Sequence, residues 1–268
     1  MADANVAFAG SIPENYDRFL VPVFFAPYAR DLVRRITVQE NAAVLEIACG
    51  TGMVTRKLKD TLPATARLVA TDLNPEMMEV AKRKFTADEI IEWQQADAMN
   101  LPFADETFDA AICQFGLMFV PDKVTALCEV KRVLKPGGIF LFSVWDAIEK
   151  NEMAQIAHET IQSFFDNDPP AFYEIPFSLD NPEGVQAFLK EAGFIDIQMD
   201  IVTMTGESPT AQDAARGTVE GNPIINAINE RGVDKEKVIE AVAEKLAKQL
   251  GDKPLKTKLQ ALVFKVKK

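Results

Sequence analysis

A chain of 268 residues with three cysteines, at 49, 113 and 128, and one histidine, His158, has little to offer disulfide or metal chemistry. The odd cysteine count without CxxC spacing gives no disulfide framework and no zinc knuckle, and it fits a reducing compartment. No apolar run reaches the ~18 residues that suggest a membrane-spanning helix. The opening Met1-Ala2-Asp3-Ala4-Asn5 lacks the basic start and apolar stretch of a secretory signal, so the expectation is a cytoplasmic protein. Basic residues are outnumbered 29 to 40 by acidic ones, a formal net charge of −11. That balance argues against a nucleic-acid partner, because phosphate binding draws on clustered Lys and Arg. The one basic cluster, Lys265-Val266-Lys267-Lys268, reads as a solvated chain end, and there is no internal repeat or low-complexity tract.

What is present is the material of an α/β domain. Hydrophobic residues at 48% and charged ones at 26% suit a soluble core with a cap and no second independent domain. From 43 to 146 strand-length apolar runs alternate with helical patterns, the habit of βαβ units that build a parallel sheet. Strands are expected at 44–48, 67–71, 90–95, 108–113 and 139–145. Between them lie helices carrying Val54, Leu58 and Leu62, then Met77, Val80, Ala81 and Phe85, then Leu127, Val130 and Leu134. Asn74 with Pro75, and Asp122, are placed as helix starts, and Lys135-Pro136-Gly137-Gly138 as a turn. Beyond 146 the rhythm changes to helices near 151–165 and 182–192, a Pro-interrupted stretch at Asp168-Pro169-Pro170, and a strand at 195–204. The segment 205–256 looks inserted, with a Gly- and Thr-containing loop and an amphipathic helix through Val238, Val242, Leu246 and Leu250, before a last strand at 257–266. The expectation is one domain over 1–268, with a core at 37–146, 178–204 and 257–268 and cap segments at 1–36, 147–177 and 205–256.

In an open parallel sheet the ligand sits at the carboxyl ends of the strands, where strand order reverses. Glu46-Ile47-Ala48-Cys49-Gly50-Thr51-Gly52 occupies that place. Gly50 and Gly52 let the backbone turn tightly and approach a ligand. A Gly-x-Gly alone also fits a plain strand-to-helix turn. A dinucleotide loop wants a third glycine and a helix start aimed at pyrophosphate. Here Thr55 stands in the third position and Glu46 in the strand, which suits a cofactor with no phosphate and a cationic end. Asp72, twenty positions after Gly52, is an acid for ribose hydroxyls; the lesser reading is a helix cap near Asn74. Asp97 closes the third strand and either reads an adenine amino group or lies in a surface loop.

Together these residues resemble class I S-adenosylmethionine-dependent methyltransferases. Residues 44–52 are similar to motif I of that family, and Ala70-Thr71-Asp72-Leu73-Asn74-Pro75-Glu76-Met77-Met78 to its acidic second-strand motif. Gln95-Ala96-Asp97-Ala98, Leu101-Pro102-Phe103 and Phe108-Asp109 resemble the adenine loop and fourth strand. Gln114-Phe115-Gly116-Leu117-Met118-Phe119-Val120-Pro121-Asp122 and Leu134-Lys135-Pro136-Gly137-Gly138 are similar to the small-molecule branch that includes the ubiquinone and menaquinone biosynthesis enzymes. The resemblance is dense over 40–146 and thinner outside it. It implies a Rossmann-like, doubly wound, seven-stranded, mostly parallel sheet with an antiparallel last strand and a helical cap. It also implies a cofactor site for S-adenosyl-L-methionine drawn from Tyr16, Glu46, Ala48, Cys49, Gly50, Thr51, Gly52, Asp72, Leu73, Met77, Asp97, Ala98, Met99, Gln114 and Phe115. By the resemblance the Gly50 and Gly52 backbone faces the methionine part, Asp72 holds the ribose, Asp97 and Ala98 read the adenine, and Gln114 lies beside the sulfonium. Tyr16 resembles the N-terminal tyrosine that closes over the cofactor in many relatives; the competing reading is an aromatic that packs a helix onto the core.

The implied reaction is in-line methyl transfer to a small-molecule acceptor, releasing S-adenosyl-L-homocysteine, in which alignment and exclusion of water do most of the work. No catalytic base and no metal are assigned. His158 reads as a solvated surface residue. Trp145, at the end of the fifth strand, either walls the acceptor, with Tyr16, or closes the core. Cys49 and Cys113 read as small buried residues rather than reactive thiols. Phe164, Phe165, Phe172 and Tyr173 either line a pocket or fasten the cap. Two other functions stay open at this point: a nicotinamide-dependent oxidoreductase, which Glu46 and Thr55 disfavour, and a binder that keeps S-adenosylmethionine without turnover.

Overall fold

A computed structural model describes residues 7–167 and 169–268. The reading of Met1 to Asn5, and of Asp168 in the Pro-interrupted stretch, lies outside the described residues.

Seven strands form one sheet in the order β3-β2-β1-β4-β5-β7-β6. They are β1 (Ala43–Ile47), β2 (Arg67–Asp72), β3 (Glu92–Gln95), β4 (Phe108–Gln114), β5 (Leu134–Trp145), β6 (Ile195–Ser208) and β7 (Leu255–Lys267). The first five pair in parallel, and β7 runs antiparallel to both neighbours. All five residues of β1 are buried, as expected of a central parallel strand covered on both faces. Strand order reverses beside β1, between β2 and β4, so the crevice of a doubly wound sheet opens above its carboxyl end.

The crossover helices are α3 (Met53–Thr61), α4 (Pro75–Lys82), α5 (Lys123–Val133) and α7 (Pro182–Glu191). Ahead of them come α1 (Ile12–Asn15), a π-helix at Tyr16–Phe25 and α2 (Ala26–Arg34), and the cap adds α6 (Glu152–Gln162), α8 (Ala211–Glu220), α9 (Ile224–Glu230) and α10 (Lys235–Leu250). Asp122 caps α5 by accepting the Thr125 N–H at 3.0 Å. Asn74 stands at the start of α4 without a capping side-chain bond, and its backbone N–H donates to Asp72 Oδ1 at 2.8 Å.

Two boundaries differ from the sequence expectation. Strand β5 begins at Leu134, paired to Phe108, rather than at Ile139; the register then jumps to Ala110 with Ile139, so residues 135–138, with Gly137 at φ 76°, bulge out of the ladder as the expected turn. The strand expected to stop at 204 runs to Ser208, paired through to Leu255, and what looked like a loop beyond it is the helix pair α8 and α9. The sheet edge exposes much of β6, so its polar residues hid the strand. In the cap, α8 packs on the π-helix, and α10 packs on α8 and α6. One apolar cluster runs from Val144 of β5 through Met153 of α6 to Val219 and Val242 of the cap.

Candidate functional site

A cavity of about 800 Å³ lies along the carboxyl edge of the sheet, within the roughly 300–1,000 Å³ of small-molecule sites. Its floor begins at the turn after β1. Ala48, Gly50 and Gly52 all have positive φ, at 54°, 53° and 81°. The strain at Ala48 is notable because an L-residue is disfavoured there. Gly50 lines the cavity, and a Cβ on it would meet only Met77 Cε, at 3.6 Å. Gly52 serves helix packing instead. A Cβ there would lie 2.8 Å from Ala81 Cβ, so its absence lets the start of α3 pack on α4.

Asp72 ends β2 and is 7% exposed. Its Oδ2 accepts the Gly50 N–H at 2.7 Å and its Oδ1 the Asn74 N–H at 2.8 Å, which hold the carboxylate at the cavity wall. Burial raises its pKa, and the N–H groups of Asn74 and Gly50 oppose that rise. One strand further, Asp97 Oδ1 accepts the Met99 N–H at 2.8 Å, and Ala96, Asp97, Ala98 and Met99 form the next stretch of wall.

Of the residues singled out in the sequence, Tyr16, Ala48, Gly50, Asp72, Leu73, Met77, Asp97, Ala98, Met99, Gln114, Phe115 and Trp145 come together around this cavity. Glu46, Cys49, Thr51 and Gly52 are not on its wall. Glu46 is 2% exposed and sits behind the loop, where burial, partly offset by nearby Thr55, pushes its carboxyl up to about 8. Of the acids singled out in the sequence, Asp72 and Asp97 line the cavity and Glu46 does not. Cys49 and Cys113 are buried, and burial pushes the Cys113 thiol up to about 12, consistent with unreactive side chains.

Tyr16 packs among aromatics and also lines the cavity: its ring stacks on Phe25 at 4.9 Å and meets the edge of Phe8 at 5.9 Å. Its hydroxyl pKa is raised, by burial first and then by the charge of Asp72. The segment ahead of it is tied to α4 and the residues after it: the Gly10 N–H donates to Glu76 at 2.6 Å, and Glu14 and Asp17 pair with Arg83 and Lys84. Trp145 likewise does two things. It stacks on Phe115 with centroids 3.8 Å apart, packs edgewise on Phe24 and Tyr28, and faces the cavity.

The cap contributes more than the sequence revealed. Leu20, Phe24 and Phe25 come from the π-helix; Phe172, Tyr173 and Phe177 from the segment after α6; Thr218 and Asn222 from the end of α8. Phe164 and Phe165 are not on the wall. Met118, Phe119 and Val120, from the short 3-10 turn after β4, add apolar lining that the sequence reading did not single out. His158 corrects the expectation of a solvated side chain: it is half-buried on α6, 5.6 Å from the Tyr173 ring, with Nδ1 unpartnered, and burial lowers its pKa. It does not line the cavity. No group of three His, Cys, Asp or Glu among the described residues is placed to hold a metal ion, and no helix among them is long and apolar enough to cross a membrane.

Residues 45–142 match the methyltransferase-domain family. The chain is 36% identical over 132 residues to the demethylmenaquinone methyltransferase of Staphylococcus epidermidis, a match covering 48% of this chain and 55% of that protein. The chain thus spans about half the length of the curated relatives it matches. In fold it is similar to phosphoethanolamine N-methyltransferase 2 of Haemonchus contortus, in complex with phosphomonomethylethanolamine and S-adenosylhomocysteine, with TM-score 0.61 and 16% identity over 96% of this chain and 56% of that one. It is also similar to the YcgJ protein of Bacillus subtilis, with TM-score 0.60 and 20% identity over 90% and 97%. Residues 45–142 thus match a methyltransferase domain, and the chain is similar there to demethylmenaquinone methyltransferases.

Proposed function

We propose that the protein transfers a methyl group from S-adenosyl-L-methionine to a small-molecule acceptor. The observation that carries this reading is the Asp72 carboxylate, buried and steered by two backbone N–H groups onto the wall of a cradle whose turn residues have positive φ. The cradle suits a cationic adenosyl group. Its acids, Asp72 and Asp97, would repel a diphosphate, and the one lysine on the wall, Lys123, spends its ammonium on the carbonyls of Met118 and Val120, at 3.0 and 2.5 Å. Asp72 would hold the ribose, Asp97 and Ala98 the adenine, and the Gly50 backbone the amino-acid end.

S-adenosylmethionine, when bound, supplies an electrophilic methyl on a sulfonium. The chain's own contribution is alignment and dryness. Gln114 and Phe115, at the end of β4, stand between the cradle and the cap. Gln114 is fixed by donating Nε2 to the Phe25 carbonyl at 3.3 Å, and its Oε1 is buried without a partner. The π-helix and the segment 172–178 cover the acceptor side. A net charge of −11 supports a small molecule over a nucleic acid as acceptor.

Calorimetry with S-adenosylhomocysteine tests the reading. Asp72→Ala is expected to weaken binding by about 1–3 kcal/mol, the value of charge-assisted hydrogen bonds. Absence of binding by the unaltered protein would refute the function, and an unchanged affinity in the variant would remove Asp72 from the site. A metabolite screen for S-adenosylhomocysteine release then identifies the acceptor.

A further inference from the structure

The cavity has two chemically different ends. Adjacent strands lie about 4.8 Å apart, so the three steps from β2 to β5 carry it roughly 14 Å along the sheet edge. The far end belongs to the cap, with apolar walls from Leu20, Phe24, Trp145 and Phe177. Among these walls stands a polar ledge. The Thr218 carbonyl accepts the Tyr173 hydroxyl at 3.0 Å and Asn222 Nδ2 at 3.2 Å. The second bond fixes the Asn222 amide with its nitrogen toward the protein. Its Oδ1 has no hydrogen-bond partner among the described residues, and the residue, half-buried, lines the cavity. A carbonyl held this way in an apolar chamber is the kind of sparse polar group that orients a ligand.

Charge narrows the ligand further. The wall carries Asp72, Asp97 and Glu174, while Lys123 is engaged with main-chain carbonyls. Among the described residues of that wall an anionic acceptor would meet three carboxylates against one ammonium, two of whose three N–H groups are already taken by main-chain carbonyls. The aromatic walls favour a flat molecule.

Resting on the methyltransferase reading, we propose that the cap chamber selects an uncharged, flat, largely apolar acceptor with an O–H or N–H at the end remote from the methyl-receiving atom. Asn222 is the specificity-determining residue that accepts its hydrogen bond. Carboxylated and phosphorylated analogues are excluded.

The test is calorimetry on protein saturated with S-adenosylhomocysteine, using 4,4′-dihydroxybiphenyl, 4,4′-dimethoxybiphenyl, which has no O–H to donate in either orientation, and 4′-hydroxybiphenyl-4-carboxylate. The diol is expected to bind about tenfold tighter than the methyl ether, the equivalent of one hydrogen bond, and the carboxylate weaker than either. Asn222→Ala should bring diol and ether within about twofold with S-adenosylhomocysteine affinity unchanged, as one lost hydrogen bond requires. Asn222→Asp, which retains an acceptor oxygen, should keep the preference for the diol and serves if the alanine variant does not fold. Equal binding of diol and ether by the unaltered protein, tight binding of the carboxylate, or discrimination that survives Asn222→Ala overturns the proposal. So does failure of all three biphenyls to bind a protein that binds S-adenosylhomocysteine, an outcome that leaves the cofactor reading standing. Loss of S-adenosylhomocysteine binding by the unaltered protein overturns that reading instead.

Discussion

Replacing Gly50 or Gly52 by alanine adds the same methyl group two residues apart in one turn, yet the two variants should fail in different ways. Both glycines have positive φ, so each substitution incurs about 1–2 kcal/mol of left-handed strain, offset by about 0.4–1 kcal/mol because alanine restricts the unfolded chain. At Gly50 the added Cβ meets nothing nearer than Met77 Cε at 3.6 Å, an ordinary contact. The expected stability loss is then the net strain, about 0.5–1 kcal/mol. At Gly52 the Cβ would lie 2.8 Å from Ala81 Cβ and 3.2 Å from its Cα. Overpacking adds about 1–3 kcal/mol, for a total near 2–4 kcal/mol. Binding should show the reverse order. Gly50 lines the cavity and Gly52 does not, so Gly50→Ala should weaken S-adenosylhomocysteine by about tenfold or more, 1.4 kcal/mol. Folded Gly52→Ala should bind within about twofold of the parent, since the methyl sits away from the ligand and additivity holds for separate sites. Urea unfolding of the ligand-free proteins gives the first quantity and calorimetry below their midpoints the second. If both variants lost affinity and stability in the same proportion, the division of labour within the turn would be refuted.

Ala48→Gly should relieve the strain at φ 54° and stabilise the ligand-free protein by about 0.5–1 kcal/mol; a lower urea midpoint would contradict that. Glu46 should give stability a pH slope. Its carboxyl rises from an ordinary 4.5 to about 8 on folding, so between those values the folded state holds a proton that the unfolded chain has released, and stability falls as pH rises, by up to about 1.4 kcal/mol per unit. Glu46→Gln should flatten the urea midpoints between pH 5 and 8, and an equally steep variant would refute the assignment. Trp145→Ala should cost about 3–5 kcal/mol, as for other buried aromatics, because the ring is buried and packs on Phe115, Phe24 and Tyr28; an unaltered thermal midpoint would show that its role is confined to the acceptor.

The side of the cavity formed by the turn after β1 and the end of β2 was legible because its determinants are local. Ala48, Gly50 and Asp72 stand where a parallel strand gives way to a helix, and period, turn residues and strand-end acids announce such places within a few positions. What local pattern could not supply is direction. Glu46 and Asp72 are both strand acids in motif positions, but Glu46 is turned behind the loop toward Thr55 and Asp72 onto the cavity wall. Gly50 and Gly52 look equivalent in sequence, and only the position of α4 separates ligand approach from helix packing. The same limit hid residues 205–208 of β6, whose pairing partner lies near Leu255.

The cap side of the cavity was legible only in part, through Tyr16, Trp145, Phe172 and Tyr173, for a stronger reason. Its walls come from the π-helix at Tyr16–Phe25, the segment 172–178 and the end of α8, where no residue pattern marks which side chains face inward. Asn222 is an unremarkable loop residue until the Thr218 carbonyl takes its amide nitrogen and the fold brings Leu20, Trp145 and Phe177 around the same cavity. A hydrogen-bonding preference built this way resides in the juxtaposition of distant segments rather than in any residue pattern. Chains that share the turn after β1 and the acid after β2 can therefore keep one cofactor while the cap changes the acceptor, because altering the cap segments leaves Asp72 and its two N–H donors in place.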